Sequence, residues 1–202
     1  GGFTRTVSYN FTTGTTVSGG PFTFSNTANI SIPSSVTATP YPSNIAVSGI
    51  TGTVTKVTVT LNQFSHTFPD DVDVLLVGPT GAGVVIFSDV GGSTDAVNLN
   101  FTLDDAAASS LPDSGPLTSG TFRPTNIGTT DTFAAPAPAG PYGSMLSDFN
   151  GLNPNGTWSL FVVDDVSVDV GNFNGGWSIT FLTNDPVCTS PCEPGGGGAT
   201  LE

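Results

Sequence analysis

The residues best suited to chemistry in this sequence are aspartates, which concentrate in two short stretches. The first stretch, residues 65–81, reads SHTFPDDVDVLLVGPTG, and the second, residues 163–176, reads VDDVSVDVGNFNGG. The candidate ligands in these stretches are Asp70, Asp71, Asp73, Asp164, Asp165 and Asp169. Ca2+ takes about six to eight oxygen ligands, and short aspartates in loops with Gly and Asn supply them. We therefore predict a calcium-binding protein with these six ligands.

Local spacing supports that prediction within the first stretch. Asp71 and Asp73 are two residues apart, which in an extended strand places both carboxylates on one face. Three aspartates within four residues also repel one another unless a cation neutralises them. Asp89 and Asp95 are further candidate ligands. The alternative interpretation is that the aspartates form turns, cap elements and keep the surface soluble.

The sequence contains one histidine, His66, close to the first aspartates. Together with Asp70 or Asp71 and a serine, it has the residue types of a hydrolytic triad. The sequence has no G-x-S-x-G elbow, H-E-x-x-H helix, P-loop lysine or dinucleotide fingerprint to accompany such a triad. We therefore predict a protein that is not an enzyme, with an independent enzyme as the alternative.

Two cysteines, Cys188 and Cys192, lie four residues apart in CTSPC. A four-ligand zinc site needs more Cys or His than this sequence offers. We predict a disulfide between them across the Pro191 turn in an oxidising compartment, with an interchain bridge as the alternative. Four sequons fit a secreted glycoprotein: Asn10, Asn29, Asn100 and Asn155.

Alternating hydrophobicity, with Gly, Pro, Asn and Asp between short runs, predicts strands and almost no helix. Residues 72–77 are apolar at nearly every position, so this strand is expected to be buried on both sides and to end at the Gly78-Pro79-Thr80-Gly81 turn. Residues 158–163 and 177–182 are further predicted strands, and Trp158 and Trp177 are predicted core residues rather than ligand platforms. The fold class predicted is an all-β sandwich.

The N-terminal residues form a separate amphipathic pattern. Phe3, Val7, Tyr9 and Phe11 alternate with polar residues, and a polar Gly-rich link, residues 12–21, follows them. We consider two positions for this strand. It pairs within its own sandwich, or it adds to the sheet of a neighbouring molecule and so polymerises the protein.

A long segment, residues 104–156, has no sustained period and is rich in Ala and Pro. Loops of this length are functional or packed against the domain. We predict a cover over one sheet edge, with binding across that surface as the alternative. The expected anchors are Phe122, Phe133, Tyr142, Met145 and Leu146.

Two blocks of sequence, far apart in the chain, carry a family resemblance. The first contains His66-Thr67-Phe68, Asp71 and Gly78-Pro79-Thr80-Gly81. The second contains Phe149-Asn150-Gly151, Asn155-Gly156-Thr157-Trp158-Ser159-Leu160, Asp164, Asp169-Val170-Gly171 and Trp177-Ser178-Ile179. Both resemble the P domain, or homo B domain, of furin- and kexin-like proprotein convertases. The resemblance implies a jelly-roll-like β-sandwich without an active site, similar calcium sites, and a structural role for His66 at a strand end.

Composition excludes several classes of partner. The chain of 202 residues has 16 acidic and three basic residues and a net charge of −13. Nucleic acids and anionic membrane surfaces need clustered Lys and Arg, so neither is an expected partner. The sequence has no apolar run near the roughly 18 residues that a membrane-spanning helix requires, so membrane insertion is not expected. These features favour an extracellular or cell-surface protein.

The predicted organisation has three parts. Residues 1–24 form an N-terminal strand and flexible link, residues 25–184 a P-domain-like β-sandwich, and residues 185–202 a tail with Cys and Gly. The predicted function is a noncatalytic structural subunit that assembles into fibres or a surface layer by strand exchange, as a homo-oligomer or homopolymer, with glycans as further partners. The alternative is an accessory module that stabilises or targets a larger secreted protease or adhesin.

Overall fold

The structure is a computed structural model that describes residues 16–128 and 131–186. Within these residues the chain forms twelve strands and two short helical turns, Pro69–Asp71 and Leu146–Phe149. The strands are β1 Thr16–Asn26, β2 Ile30–Ile32, β3 Ser43–Val47, β4 Thr53–His66, β5 Val72–Val77, β6 Gly83–Ser88, β7 Ala96–Leu103, β8 Gly120–Phe122, β9 Thr125–Asn126, β10 Gly156–Asp164, β11 Gly171–Phe173 and β12 Trp177–Pro186.

Two sheets make up the domain. Sheet 1 has the order β1-β12-β4-β11-β2, with β7 paired to β4 and β8 paired to β7, and sheet 2 has the order β3-β10-β5-β6-β9. The pairs β6–β9 and β7–β8 are parallel, and the other pairs are antiparallel. This arrangement confirms the predicted all-β sandwich.

Strand β4 shows why the sequence forms sheet 1. Val57, Val59 and Leu61 are buried, while the residues between them are partly exposed threonines, as expected for a strand with one face on the core. The strand is long enough to pair with β12 along most of its length and with β11 at its end. It therefore joins elements that are distant in sequence.

Both tryptophans lie in the core between the sheets, as predicted, and neither has exposed surface. The Trp158 Nε1–H donates to the Pro154 carbonyl at 2.8 Å, and the Trp177 Nε1–H donates to Ser43 Oγ at 3.0 Å. Burial of an indole is favourable when its N–H group has such a partner.

A second apolar cluster covers the outer face of sheet 2. Every residue of β5 is buried, as predicted for the residues after Asp73, and Asp73 itself is buried as well. Its outward side chains, Leu75 and Val77, pack with Phe133 from residues 131–144, which we call the cover segment. Phe133 and Tyr142 make an edge-to-face contact at 5.6 Å. The cover segment thus lies over a sheet face and not over the predicted sheet edge. Of the other expected anchors, Phe122 and Leu146 pack on the main core, and Met145 is 52% exposed.

The start of the sandwich differs from the prediction. Residues 16–24, assigned to the link and excluded from the sandwich, belong to β1, which pairs with β12 from Thr16 opposite Pro186 to Asn26 opposite Trp177. A register shift between Gly19 and Phe22 accommodates the Gly-Pro dipeptide, after which the strand continues. The predicted boundary at residue 25 is therefore wrong, because glycine and proline form an irregularity within a strand here.

Within residues 16–128 and 131–186, no helix is long and apolar enough to span a bilayer.

Candidate metal centre

Three aspartates from different segments meet at one end of sheet 2. Asp73 lies on β5 and shares its outer face with Leu75, because strand side chains alternate. Asp89 directly follows β6, whose last residue is Ser88. Asp131 begins the cover segment. One oxygen from each carboxylate lies within 4.8 Å of the others.

The Ser88 hydroxyl lies at the centre of this group. Its Oγ is 2.8 Å from Asp73 Oδ1, 2.9 Å from Asp89 Oδ2 and 2.9 Å from Asp131 Oδ1. A hydroxyl has one hydrogen to donate, so it satisfies one of the three carboxylates at a time. Asn126 Nδ2 donates to the second oxygen of Asp131 at 2.7 Å. The carboxylates therefore converge with fewer donors than their charge requires.

Burial makes this convergence costly for the metal-free protein. Asp73 is 3% exposed, and Ser88 has no exposed surface. Burial raises the pKa of Asp73 to about 8, opposed by the hydrogen bond from Ser88 and reinforced by the carboxylates of Asp131, Asp165 and Asp89. Burial likewise raises the pKa of Asp89, again against the Ser88 hydrogen bond. A cation bound here would remove the repulsion that favours protonation.

The donor set fits a hard cation. Carboxylate, hydroxyl and amide oxygens are the ligands that Ca2+ and Mg2+ prefer, whereas zinc and copper favour nitrogen and sulfur. The three carboxylates come from β5, the end of β6 and the cover segment, so the same ion would contact all three segments.

The other predicted ligands lie outside this group. Asp71 is in the helical turn that Pro69 begins, so it does not share a strand face with Asp73, contrary to the prediction. Its Oδ2 is buried without a hydrogen-bond partner. Burial raises the pKa of Asp71 to about 6, and the carboxylate of Asp164 adds to the effect.

Asp164 organises the loop that follows β10. Its side chain is fully buried, and its Oδ1 accepts the backbone N–H groups of Ser35 and Val166, each at 3.1 Å. Its Oδ2 lies 3.2 Å from His66 Nε2, although the angles there are not those of a hydrogen bond. This position resembles a cap for the loop more than an ion ligand.

The remaining predicted ligands surround the same loop. Asp169 Oδ1 accepts the Thr67 hydroxyl at 2.7 Å. Although Asp165 as a whole residue is exposed, its carboxylate is partly buried, and this burial together with the nearby Asp164 carboxylate raises its pKa. Asp70 contributes to the acidic field at Asp71 and Asp89. Of the six predicted ligands, the structure brings Asp73 into the three-carboxylate group, and Asp131 joins it from a segment without any sequence period.

His66 is buried beside this loop. Its exposed fraction is 2%, and its Nδ1 lies 2.8 Å from the Phe68 carbonyl oxygen. The other ring nitrogen faces Asp164. In the described part of the chain neither nitrogen contacts a serine hydroxyl, so the geometry does not match the triad arrangement in which a histidine activates a serine.

The sequons occupy different environments. Asn29 and Asn100 are exposed, and Asn100 uses its Oδ1 to accept the Gln63 N–H. Asn155 uses both hydrogens of its Nδ2, one to the Ile50 carbonyl and one to Asn153 Oδ1, each at 2.7 Å. A glycan on that nitrogen would displace at least one of these bonds.

Asn155 also fastens the loop before β4, because its Oδ1 accepts the Ile50 N–H at 3.0 Å. We expect Asn155→Ala to lower the free energy of unfolding by about 1–3 kcal/mol, since it leaves both backbone groups of Ile50 without partners. Urea unfolding measures the change, with Asn29→Ala at an exposed sequon as the control. Equal, small effects of both substitutions would contradict this role.

Several predicted sites lie outside the described residues. These are the assembly strand with Phe3, Val7, Tyr9 and Phe11, the sequon at Asn10, and the pair Cys188 and Cys192.

No protein-family model matches the sequence. Leupeptin-inactivating enzyme 1 from Streptomyces exfoliatus is 29% identical over 158 residues, which are 78% of this chain and 26% of that enzyme. The crystal structure of Aeromonas sobria serine protease with the chaperone ORF2 has a chain similar over 85% of this chain and 27% of its own length, with TM-score 0.42 and 14% identity. The crystal structure of the Aeromonas sobria serine protease alone is similar over 84% of this chain and 27% of its own length, with TM-score 0.39 and 13% identity. The chain spans about a quarter of the length of each.

Proposed function

We propose that this chain is a noncatalytic accessory module of a larger secreted enzyme, held together in part by calcium. The observation that carries the proposal is the match to Leupeptin-inactivating enzyme 1, which includes 78% of this chain but 26% of that enzyme. A matching segment of 158 residues has the size of one domain, so the rest of that enzyme has room for others.

The resemblance to convertase P domains is part of this proposal, and contacts between the two sequence blocks support it. His66 of the first block lies beside Asp164 of the second. A Cβ atom added at Gly156 would lie 2.7 Å from Pro79 Cβ, and one added at Gly78 would lie 3.4 Å from the Trp158 ring. The residues that carry the resemblance therefore pack on one another, which is what a structural signature requires.

Calcium has a specific role in the proposal. Asp73 and Asp89 belong to the strands of sheet 2 or to their ends, whereas Asp131 belongs to the cover segment. An ion shared by the three would fasten the cover segment over the apolar face that Phe133 buries. Extracellular modules bind Ca2+ with dissociation constants of about 10⁻⁴–10⁻³ M, so such a site suits a secreted protein.

The intact mass and the peptide-cleaving activity of the natural polypeptide that carries this sequence test the proposal. We expect its intact mass to exceed that of the chain, and we expect it to cleave peptide substrates. The isolated chain of 202 residues should cleave none of them. Removing the module should lower the unfolding temperature of the remaining enzyme. A natural polypeptide no larger than this chain, or peptide cleavage by the isolated chain, would refute the proposal.

A further inference from the structure

The loop between β10 and β11, residues 165–170, exposes apolar side chains. Val166 is 50% exposed, Val168 is 85% exposed and Val170 is 53% exposed. Val36 and Val97 are 50% and 70% exposed and lie on segments that adjoin this loop. Five of the eight large, exposed hydrophobic residues in the described part of the chain thus gather at one end of the sandwich. Contiguous exposed apolar patches mark interaction sites, whereas scattered ones need no explanation.

Hydrogen bonds hold this valine loop, as we call residues 165–170, in one conformation. The Val166 N–H donates to Asp164 Oδ1 at 3.1 Å, the Val168 N–H to Ser34 Oγ at 2.6 Å, and the Val170 N–H to Thr67 Oγ1 at 3.3 Å. All three acceptors are side-chain oxygens from neighbouring segments or from the loop base. The loop is therefore organised before any partner arrives, which reduces the entropy lost on binding.

Val168 has a backbone conformation that is unfavourable for valine. Its φ is +101°, a region that a β-branched residue rarely adopts. Backbone strain of this kind persists where the surroundings impose it, and it clusters at binding sites. With most of its side chain in solvent, Val168 gains little from packing within this chain. Glycine or asparagine would fit the conformation better, so the valine points to a contact made outside the chain.

A groove of mixed polar and apolar lining adjoins the valine loop. It has a volume of about 290 Å³, and Val97, Val170 and Asp95 are among the residues that line it. The contact between Val36 and the loop base is direct, because the Asp164 N–H donates to the Val36 carbonyl at 3.1 Å. The valines therefore extend from the groove across the end of the domain.

Charge determines which partner fits. Asp165 in the valine loop and Asp95 in the groove are exposed, and Asp70 and Asp169 add to the negative field there. The two described basic residues are engaged elsewhere: Lys56 pairs with Asp104, and Arg123 donates to the carbonyls of Ala107 and Ala108. A second copy would bring the same acids and be repelled. A surface with an apolar centre and a basic rim complements this end.

We infer that the valine loop, with Val36 and the groove, is the docking surface for a basic-rimmed apolar face on another domain of the larger enzyme. This inference rests on the proposed function and adds the place and chemistry of the contact. Apolar burial supplies the affinity, and the aspartates select the partner and set its orientation.

Hydrogen exchange tests the inference by comparing the isolated chain with the natural polypeptide that carries it. We expect the amides of residues 166–170 to exchange about tenfold or more slowly in the natural polypeptide, because docking must open before they exchange. In the natural polypeptide, Val168→Asp should return exchange to the rate of the isolated chain. Val17→Asp, at an edge-strand valine that is 52% exposed, is the matched control and should change nothing at the loop.

The outcomes separate this inference from the proposed function. Equal exchange in both proteins, with an intact mass showing a larger enzyme, overturns the docking surface and leaves the proposed function standing. A natural polypeptide without further domains refutes both. Protection that is unchanged between 0.1 and 1 M NaCl would overturn the basic chemistry assigned to the partner, since salt screens exposed charge pairs.

Discussion

Calcium added to the metal-free chain is expected to raise its unfolding temperature by roughly 5–10 °C. At a concentration 100 times the dissociation constant, a ligand that binds the folded state alone stabilises it by about 2.7 kcal/mol. For a domain of this size, each kcal/mol shifts the unfolding temperature by about 2–4 °C. Differential scanning calorimetry in EDTA, and then in excess calcium, measures the shift.

Single substitutions identify the ligands responsible. Asp131→Asn should abolish the calcium response, because it removes the carboxylate that the cover segment contributes. Asp113→Asn makes the same change in charge at an exposed position and should leave the response intact. Asp169→Asn should also leave it intact, because that carboxylate belongs to the valine loop. A calcium response that is lost in Asp169→Asn but retained in Asp131→Asn would favour the six-aspartate prediction over the three-carboxylate centre.

The metal-free chain is expected to lose stability as the pH rises from about 4 to about 8. The folded state raises the pKa of Asp73 from 3.8 to about 8. The unfolded chain therefore releases this proton near pH 4, while the folded chain retains it until near pH 8, and stability declines across that interval. Asp71, with its pKa raised to about 6, acts in the same direction over a narrower range. The decline attributable to Asp73 is at most about 6 kcal/mol, from a rise of about four pKa units at about 1.4 kcal/mol per unit.

Urea unfolding in EDTA at pH 5 and pH 8 measures this dependence. Asp73→Asn should remove most of the dependence of the unfolding free energy on pH and leave the metal-free chain more stable than the wild type at pH 8. The same substitution should weaken calcium binding, so stability without metal and affinity for metal change in opposite directions. A metal-free wild type equally stable at both pH values would show that the Asp73 carboxyl group is not in the environment described.

The sequence predicts the parts of the fold that local patterns encode. The apolar run of β5 indicates burial on both faces, and the alternation around Trp158 and Trp177 indicates core positions, because these patterns record which side of a strand meets the core. The first residues of β1 cannot be predicted from such local patterns. Gly20 and Pro21 are typical of a link, and only the pairing with β12 shows that a strand continues past them.

The candidate metal centre is predictable in its chemistry but not in its membership. Clustered aspartates suggest a cation site, and the three-carboxylate group contains Asp73 of the six predicted ligands and Asp89 of the further candidates. Proximity in sequence misleads for Asp71, since Pro69 starts a helical turn that directs its carboxylate elsewhere. Asp131 has no local signal, because its position depends on the cover segment folding back over sheet 2. Convergence of this kind is a property of the tertiary structure.

The pairing of Thr16 with Pro186 determines how the domain would respond to tension. Both described ends of the sandwich lie side by side at the edge of one sheet, on antiparallel neighbours. A force that pulls Thr16 and Pro186 apart would break the β1–β12 hydrogen bonds one after another, because the force acts along these bonds and not along the strands. We therefore expect the domain to yield at low force, which suits a module that rests against a partner better than one that bears load along a filament.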